Sequence, residues 1–154
     1  MKKIKILVIC HGNINRSPAV AEMLKVLDEE GVFEVESAGF VGPWKRAVRK
    51  TRRALLRRVP KATGIKSHRS KLVTEEMARS ADYILYMDGG NFRRLAALVD
   101  SDSAVLDKAI PLAAYVNKSR MVDPNFLRAG SEEFEQAIDD LVEATTNFVR
   151  RIRL

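Results

Sequence analysis

Two residues that could carry out chemistry together, Cys10 and Arg16, stand in a short polar segment with five residues between them. Gly12 and Asn13, within that interval, tolerate positive φ angles, so successive backbone N–H groups can turn inward as an anion cradle. The dipoles of this cradle and the Arg16 guanidinium both favour a thiolate over a thiol. We therefore predict that Cys10 is a nucleophile directed at a tetrahedral oxyanion.

Arg16 and Ser17 have properties that suit the other steps of such a reaction. The planar fork of Arg16 matches two phosphate oxygens and can stabilise charge during transfer, which lysine cannot do. The Ser17 hydroxyl can donate to the sulfur and help it leave from a phosphocysteine. From the residues alone, an inert cysteine at the end of a buried strand is the alternative. The predicted phosphate-binding loop comprises His11, Gly12, Asn13, Ile14, Asn15 and Ser17.

The segments on either side of this loop are typical of a parallel α/β sheet. Ile4–Ile9 is a nearly continuous apolar run rich in β-branched residues, which predicts a strand buried on both faces. Ser17 as N-cap, Pro18 at the first position and apolar residues at helical spacing up to Gly31 predict a helix. Ligands of such sheets bind beyond the carboxyl ends of the strands, where this loop would lie.

Further strands and helices are predicted in alternation along the rest of the chain. The clearest is a final helix from Ser131, with apolar residues at helical spacing, acids first and arginines last. This order predicts one doubly wound α/β domain over residues 1–154, with about four parallel strands and helices on both faces. The other predicted strands are 33–38, 83–87 and, with a weaker pattern, 104–106; the other predicted helices are 44–59, 74–80 and 91–99.

The composition excludes several classes of protein. A single cysteine cannot form an internal disulfide, and Cys10 with His11 and His68 is a poor ligand set for zinc. The longest apolar run, residues 6–10, is too short to span a bilayer, and the amino terminus lacks the pattern of a secretory signal. We therefore expect a cytoplasmic protein without membrane insertion, and with neither a metal nor another cofactor.

The positive charge is concentrated in one stretch of the chain. The net charge is +7, and residues 37–74 contain 12 lysines or arginines and no acidic residue. The remaining 15 of the 27 basic residues and all 20 acidic residues lie outside this stretch. Such asymmetry predicts attraction to an anionic partner: a phosphorylated or acidic protein, a nucleic acid or a membrane surface. A solvated basic helix without a partner is the alternative.

The segment 8–18 resembles the signature loop of the low-molecular-weight protein tyrosine phosphatases. Further segments of that family's pattern follow in order, and an Asp-Pro dipeptide stands on the late loop before the last helix. The resemblance covers nearly the whole chain and is weakest over residues 40–66. The matching segments are Ser37-Ala38-Gly39, His68-Arg69-Ser70-Lys71-Leu72, Met87-Asp88-Gly89-Gly90-Asn91 and Asp123-Pro124.

The resemblance implies roles for residues outside the loop. The family's general acid corresponds to Asp123, which would protonate the leaving oxygen and, once ionised, activate water in the second step. Such an acid is also required on chemical grounds, because an aryl or alkyl oxygen leaves poorly without a proton. Asn13, Ser37 and His68 would brace the loop through hydrogen bonds. Asp88 would shape the site.

Two positions depart from the family pattern. Many relatives have a second cysteine where this chain has Asn15, so the reversible disulfide that shields the nucleophile is absent. Asn125 precedes Phe126 where relatives commonly place aromatic residues beside the substrate ring. Phe126 could still flank a ring together with Phe40 and Trp44, although ordinary packing explains Phe40 and Trp44 equally well.

We therefore expect a cysteine-dependent phosphatase that hydrolyses phosphotyrosine or similar phosphate monoesters through a phosphocysteine, with Cys10, Arg16 and Asp123 as catalytic residues. Its substrate would be a phosphorylated protein or a small phosphate ester, and the basic stretch would favour acidic flanks. One alternative is an arsenate reductase on the same scaffold, which would need an external thiol because only Cys10 is available. Another is a catalytically silent module that binds phosphate or nucleic acid.

Overall fold

Four strands and six α-helices alternate along residues 2–152, the part of the chain that the computed structural model describes. The strands are β1 (Ile4–Ile9), β2 (Phe33–Ala38), β3 (Tyr83–Tyr86) and β4 (Ala109–Pro111). The helices are α1 (Arg16–Leu27), α2 (Arg49–Arg58), α3 (Glu75–Ser80), α4 (Gly89–Leu98), α5 (Ser103–Leu106) and α6 (Glu132–Ile152). Three short 3₁₀ helices cover Thr63–Ser67, Leu112–Val116 and Pro124–Phe126.

The strands form one sheet in the order β2-β1-β3-β4, and every neighbouring pair is parallel. The chain passes from β1 to β2 and then returns to place β3 on the other side of β1, so the winding reverses between β1 and β3. Ile9 pairs with both Ala38 and Tyr86, which brings the residues after three strands to one edge. The predicted doubly wound α/β sheet is confirmed, and its ligand-binding crevice is expected at this reversal.

The side chains of β1 alternate between two hydrophobic cores. Ile6 and Val8 belong to the core beneath α1, α2 and α6, whereas Leu7 and Ile9 belong to the core beneath α3, α4 and α5. All four side chains are at most 2% exposed. A strand buried on both faces must be apolar throughout, which explains the continuous run in the sequence. Helices therefore cover both faces of the sheet.

α6 is the longest of these helices and closes one face of the sheet. Acidic residues occupy its first turn and arginines its last, so the charges complement the helix dipole. Its Phe148 ring meets Tyr83 and Tyr115 edge-on, at centroid distances of 5.8 and 5.7 Å. The final helix predicted from Ser131 is confirmed. Among residues 2–152, no helix combines the length and the hydrophobicity that a bilayer span requires.

The strand predicted over residues 104–106 is wrong. This segment is the short helix α5, because the Asp102 carboxylate caps it by accepting from the Ala104 N–H at 2.9 Å. The fourth strand lies three residues further on, at Ala109–Pro111, where it pairs with β3. A strand of this length is defined by its neighbour in the sheet rather than by its own sequence.

The basic helix predicted over residues 44–59 is shorter than expected and spans Arg49–Arg58. Trp44 has a φ angle of 72°, and its N–H donates to Ser70 O at 2.7 Å. The Lys45 N–H donates to the Ser70 hydroxyl at 2.8 Å. These bonds hold the start of the basic segment in a turn that is not helical, so the helix begins only after it.

Candidate active site

The loop after β1 places polar groups around the Cys10 sulfur. Sγ lies 3.0 Å from Ser17 Oγ and accepts from the Asn13 N–H at 3.3 Å. The Asn13 side-chain amide donates to Ser17 Oγ at 2.8 Å. Because Ser17 Oγ already accepts from Asn13, its own hydrogen can point to the sulfur. Two donors therefore face Cys10, an arrangement that stabilises a sulfur anion.

α1 begins immediately after this loop. Its N-cap is Asn15 and Ser17 is its second residue, so the N-cap role predicted for Ser17 is wrong, and the hydroxyl contacts the sulfur instead. Unpaired N–H groups at the start of a helix are the donors that an oxyanion binds. Among residues 2–152, the N–H groups of five residues in the loop and at the start of α1 have no acceptor, and these residues line one cavity: His11, Gly12, Ile14, Asn15 and Arg16.

Asn13 fixes the shape of the loop through its backbone and its side chain. Its φ angle is 55°, the left-handed conformation that asparagine tolerates. Its side-chain amide also donates to Ser37 Oγ at 2.9 Å, and its Oδ1 accepts from the Lys71 N–H at 3.1 Å. His68 Nε2 lies 2.6 Å from Asn13 O and must be the donor, since a carbonyl only accepts. The structure thus joins Asn13, Ser37 and His68, the residues that the resemblance implies for loop support.

The His68 imidazole predicts a specific dependence of stability on pH. Desolvation lowers its pKa, although the hydrogen bond to Asn13 O favours the charged form. The neutral ring therefore contributes stability that is complete above the unfolded pKa of about 6.5 and is lost as pH falls through the lower native pKa. We expect the free energy of unfolding in urea to decrease from about pH 7.5 to about pH 5, and the decrease to be smaller in His68→Gln. Parallel pH profiles for the two proteins would contradict this assignment.

Gly39, directly after β2, allows the close approach of its backbone to the loop. A Cβ at Gly39 would lie 2.8 Å from Asn13 N and 2.9 Å from His11 O, distances that require the loop backbone to move. Gly12 differs from the expectation, because it is not among the residues with positive φ, and a Cβ there would meet the Ile14 side chain at an ordinary 3.5 Å. The glycine that this loop requires on steric grounds is therefore Gly39, just beyond the neighbouring strand.

Arg16 reaches from the start of α1 toward the end of β3 and is only 4% exposed. Its Nη1 donates to Asp88 Oδ2 at 2.8 Å and to Met121 O at 2.9 Å. Its Nε has no hydrogen-bond partner within the described part of the chain, and Nη2 lies 3.9 Å from Asp123 Oδ2. The edge formed by Nε and Nη2 is therefore available to two oxygens of a bound anion.

Asp88 holds Arg16 in place. Burial raises the pKa of the Asp88 carboxyl, but the hydrogen bonds from Arg16 and from the Asn91 N–H outweigh burial and leave that pKa below its ordinary value. A lowered pKa favours the ionised form, which suits a charged partner of Arg16 better than a proton donor. Asp88 also forms a capping box with Asn91 at the start of α4, which fixes it just beyond β3.

Asp123 stands before the 3₁₀ helix Pro124–Phe126. Its Oδ1 accepts from the Asn125 N–H at 2.9 Å, which orients the carboxyl group. The Asp123 side chain is 28% exposed and lines the same cavity as Cys10 and Arg16. The structure therefore brings the three residues predicted to be catalytic to one cavity.

This cavity has a volume of about 610 Å³ and lies over the loop after β1. The Phe126 ring contributes to its lining and is 84% exposed. Three lining cations were not singled out from the sequence: Lys45, Arg94 and Arg120. They come from distant segments, so no local pattern marks them. Within residues 2–152, no group of three or more His, Cys, Asp or Glu side chains could hold a metal ion.

The other two aromatic residues predicted to flank the substrate do not line this cavity. Phe40 packs against the core beneath α3, α4 and α5. Trp44 is 81% exposed and is not among the lining residues. Their neighbours Val41, Gly42 and Lys45 line the cavity instead.

α2 contacts the phosphate-binding loop at Asn15, the position where the family pattern has its second cysteine. Thr51 Oγ1 donates to Asn15 Oδ1 at 2.6 Å, and both residues are buried. The Val48 N–H donates to Ile14 O at 2.8 Å. The Asn15 side chain is therefore bonded to α2, and α2 supports the loop from outside.

The chain is similar to known phosphatases over nearly its whole length. The family model described as low molecular weight phosphotyrosine protein phosphatase matches residues 5–154. Low molecular weight phosphotyrosine protein phosphatase 1 of Drosophila melanogaster is 29% identical over 149 residues, which is 95% of each chain. The solved YwlE mutant from Bacillus subtilis is 29% identical, with a TM-score of 0.80 and coverage of 99% of this chain and 100% of that chain. The YwlE arginine phosphatase from Geobacillus stearothermophilus is 25% identical, with a TM-score of 0.80 and coverage of 97% and 93%.

Proposed function

The chain belongs to the low molecular weight phosphotyrosine protein phosphatase family, and on this premise we propose that Cys10 attacks the phosphorus of a phosphorylated protein side chain. It is an enzyme of the protein tyrosine phosphatase class. The observation that carries the proposal is the set of donors at the sulfur, with Ser17 Oγ at 3.0 Å and the Asn13 N–H at 3.3 Å, in the cavity that Arg16 also lines. These donors suit a thiolate beside a bound tetrahedral anion.

In the first step, the Cys10 thiolate forms a bond to phosphorus while the bond between phosphorus and the substrate oxygen breaks. The loop N–H groups and the Nε and Nη2 atoms of Arg16 bind the remaining phosphate oxygens and stabilise their charge in the transition state. The departing oxygen takes a proton from the Asp123 carboxyl group. The products of this step are the free side chain and a phosphocysteine.

In the second step, water attacks the phosphocysteine and the bond between sulfur and phosphorus breaks. Asp123, now ionised, accepts a proton from that water. The electron pair of the broken bond returns to the Cys10 sulfur, where the Ser17 hydroxyl and the Asn13 N–H stabilise the thiolate. Inorganic phosphate is released, and the site returns to its starting state.

Asp123→Asn tests the proton transfer. We expect kcat/KM for phenyl phosphate, whose phenoxide leaves poorly, to fall about 10²–10³-fold, because general acid catalysis contributes effects of that size. For dinitrophenyl phosphate, whose leaving group needs no proton, we expect a much smaller fall.

Asp88→Asn is the matched control for this experiment. It removes the partner of Arg16 and is expected to slow both substrates to a similar extent, because phosphate binding does not depend on the leaving group. Equal losses on the two substrates in Asp123→Asn would contradict the acid role of Asp123.

Phosphotyrosine is the favoured substrate side chain and phosphoarginine the second candidate, since one similar structure is described as an arginine phosphatase. The exposed Phe126 ring can stack on an aryl group. Lys45, Arg94 and Arg120 make the cavity wall basic, which disfavours a guanidine-based substrate. The test compares two peptides of otherwise identical sequence, one with phosphotyrosine and one with phosphoarginine. A higher kcat/KM for the phosphotyrosine peptide supports a tyrosine phosphatase, and a higher kcat/KM for the phosphoarginine peptide supports an arginine phosphatase.

A further inference from the structure

The outer face of α2 carries a row of arginines. Arg49, Arg53 and Arg57 follow one another at intervals of four residues, so they lie on one side of the helix, and all three are exposed. They line an open groove of about 580 Å³. Arg49 and Arg53 have no acidic partner among residues 2–152, while Arg57 meets Glu135 at 3.4 Å.

The positive charge of this row is not relieved within the helix. α2 contains no acidic residue, and like charges four residues apart destabilise a helix. Desolvation and the positive charges of Arg46, Arg49 and Arg53 lower the pKa of the neighbouring Arg52. Repulsion among these arginines therefore destabilises the free protein, and an anionic partner would remove that repulsion.

The groove lies next to the catalytic cavity. Lys50, between two arginines of the row, donates to Asn125 O and Leu127 O, and both of those residues line the catalytic cavity. The chain then continues from Leu127 to Ala129 and Gly130, which line the groove. A peptide whose phosphorylated residue occupies the cavity can therefore extend into the groove.

We propose that this groove docks an acidic segment of the phosphorylated protein, adjacent to the phosphorylated residue. The proposal rests on the phosphatase function proposed above. Guanidinium groups bind carboxylates in a bidentate manner, and three in a row suit successive Asp or Glu side chains. Val48 and Ala129 add apolar surface to the groove, which favours a peptide over the phosphate backbone of a nucleic acid.

The test compares a phosphotyrosine peptide flanked by glutamates with the same peptide flanked by glutamines. Wild type is expected to prefer the acidic peptide about tenfold in kcat/KM at low ionic strength, as exposed ion pairs contribute modestly each. Combined replacement of Arg49, Arg53 and Arg57 by Gln is expected to bring the ratio close to one. The matched control replaces Lys2, Lys3 and Arg150 by Gln, which removes the same charge far from the groove, and is expected to keep the wild-type ratio.

The proposal would be overturned if the three arginine substitutions left the ratio of kcat/KM for the acidic peptide to kcat/KM for the neutral peptide unchanged. A groove variant that loses salt-dependent binding of an oligonucleotide, with the peptide ratio unchanged, would also overturn it and assign the row to nucleic acid. Fluorescence anisotropy of the unphosphorylated acidic peptide measures docking without turnover. If wild type hydrolyses neither peptide, the phosphatase function fails, while binding that depends on the three arginines would still support docking.

A second observation concerns Lys50 itself. Its Nζ donates to Asn125 O at 3.0 Å and to Leu127 O at 2.7 Å, and lies 5.8 Å from the centroid of the Phe134 ring. The Asn125 N–H donates in turn to Asp123 Oδ1. One ammonium group therefore fixes the turn whose backbone orients the Asp123 carboxyl group.

From these contacts we infer that Lys50 is a positioning residue for proton transfer by Asp123, again on the basis of the proposed function. No proton passes to or from Lys50. Its removal leaves the carbonyls of Asn125 and Leu127 without their cationic donor, so the carboxyl group spends less time in reach of the leaving oxygen. The loss should therefore appear only for substrates whose departing group needs a proton.

Lys50→Met is expected to lower kcat/KM about tenfold for phenyl phosphate and less than about twofold for dinitrophenyl phosphate. Lys50→Arg, which keeps a cationic donor, should restore most of the loss on phenyl phosphate. In the Asp123→Asn background, Lys50→Met should cause no further loss of kcat/KM for phenyl phosphate, because both substitutions act on the same proton transfer.

Equal losses on the two substrates, or full additivity with Asp123→Asn, would show that Lys50 serves stability alone and would overturn the inference. A failure of Asp123→Asn to discriminate between the substrates would instead count against the proposed mechanism.

Discussion

Cys10→Ser is expected to reduce turnover of aryl phosphates by about 10⁴-fold or more, the scale seen when a covalent nucleophile is removed. A serine hydroxyl must lose its proton before it attacks phosphorus. The groups that contact the side chain of residue 10 are the Ser17 hydroxyl and the Asn13 N–H. Both can donate to an anion and neither is a base strong enough to take up that proton, so the site suits sulfur and not oxygen.

The Cys10→Ser variant should nevertheless bind the product. The loop N–H groups and Arg16 are unchanged, so titration with inorganic phosphate should give a dissociation constant within about tenfold of wild type. Retained binding with lost turnover separates a missing nucleophile from a collapsed loop. Steady-state turnover above about 1% of wild type in Cys10→Ser would show that sulfur is not the nucleophile.

Arg16→Lys is expected to lower kcat/KM about 10³–10⁴-fold, within the range found for arginines that stabilise phosphoryl transfer. Arg16 uses Nη1 to bind Asp88 and Met121 O and leaves Nε and Nη2 for the anion. A lysine ammonium is one point and cannot make both sets of contacts. The measurement is kcat/KM together with inhibition by inorganic phosphate, and both should weaken.

Arg94→Lys is the matched control for Arg16→Lys. Arg94 also lines the cavity, but its side chain is exposed and has no hydrogen bond or ion pair with a residue in the described range. Its substitution is expected to lower kcat/KM by less than about tenfold, because exposed charges act mainly by steering the anionic substrate toward the cavity. If Arg16→Lys lost no more activity than Arg94→Lys, Arg16 would be one cation among several rather than the phosphate clamp.

Local patterns in the sequence were sufficient for the elements that position the phosphate-binding loop. β1 and β2 occupy the predicted residues 4–9 and 33–38. The bounds of β1 follow from its apolar run, because a parallel strand buried on both faces must be apolar throughout. The helix predicted over residues 74–80 is α3, and Thr74 caps it by accepting from the Met77 N–H at 3.2 Å. In each case, the residues that determine the structure lie within one short segment.

The errors arise where distant segments determine the structure. β4 is a strand because it pairs with β3, and its three residues have no periodicity of their own. The segment around Trp44 is not helical because it bonds to Ser70, which lies beyond α2. Such contacts depend on the tertiary fold. The helical pattern of residues 44–59 therefore predicted a longer helix than α2.

The residues of the candidate site also fall into two groups, those that the sequence predicts and those that depend on the tertiary fold. Cys10, Arg16 and Ser17 could be predicted because all of them lie between the end of β1 and the first turn of α1. Asp123 was identified through the family resemblance, since an Asp-Pro dipeptide alone is a common turn. The cations of the cavity wall and the contacts of Lys50 depend on which strands and loops are neighbours, and the sequence pattern does not contain that information.

The most direct measurement is the capture of the covalent intermediate. Asp123→Ala would be mixed rapidly with an activated aryl phosphate, quenched within one turnover and digested, and the phosphorylated peptide would be identified by mass spectrometry. The proposed mechanism predicts a phosphoryl group on Cys10, formed in step with the first burst of released phenol. Phosphate on another residue, or a burst without any covalent phosphate, would contradict it.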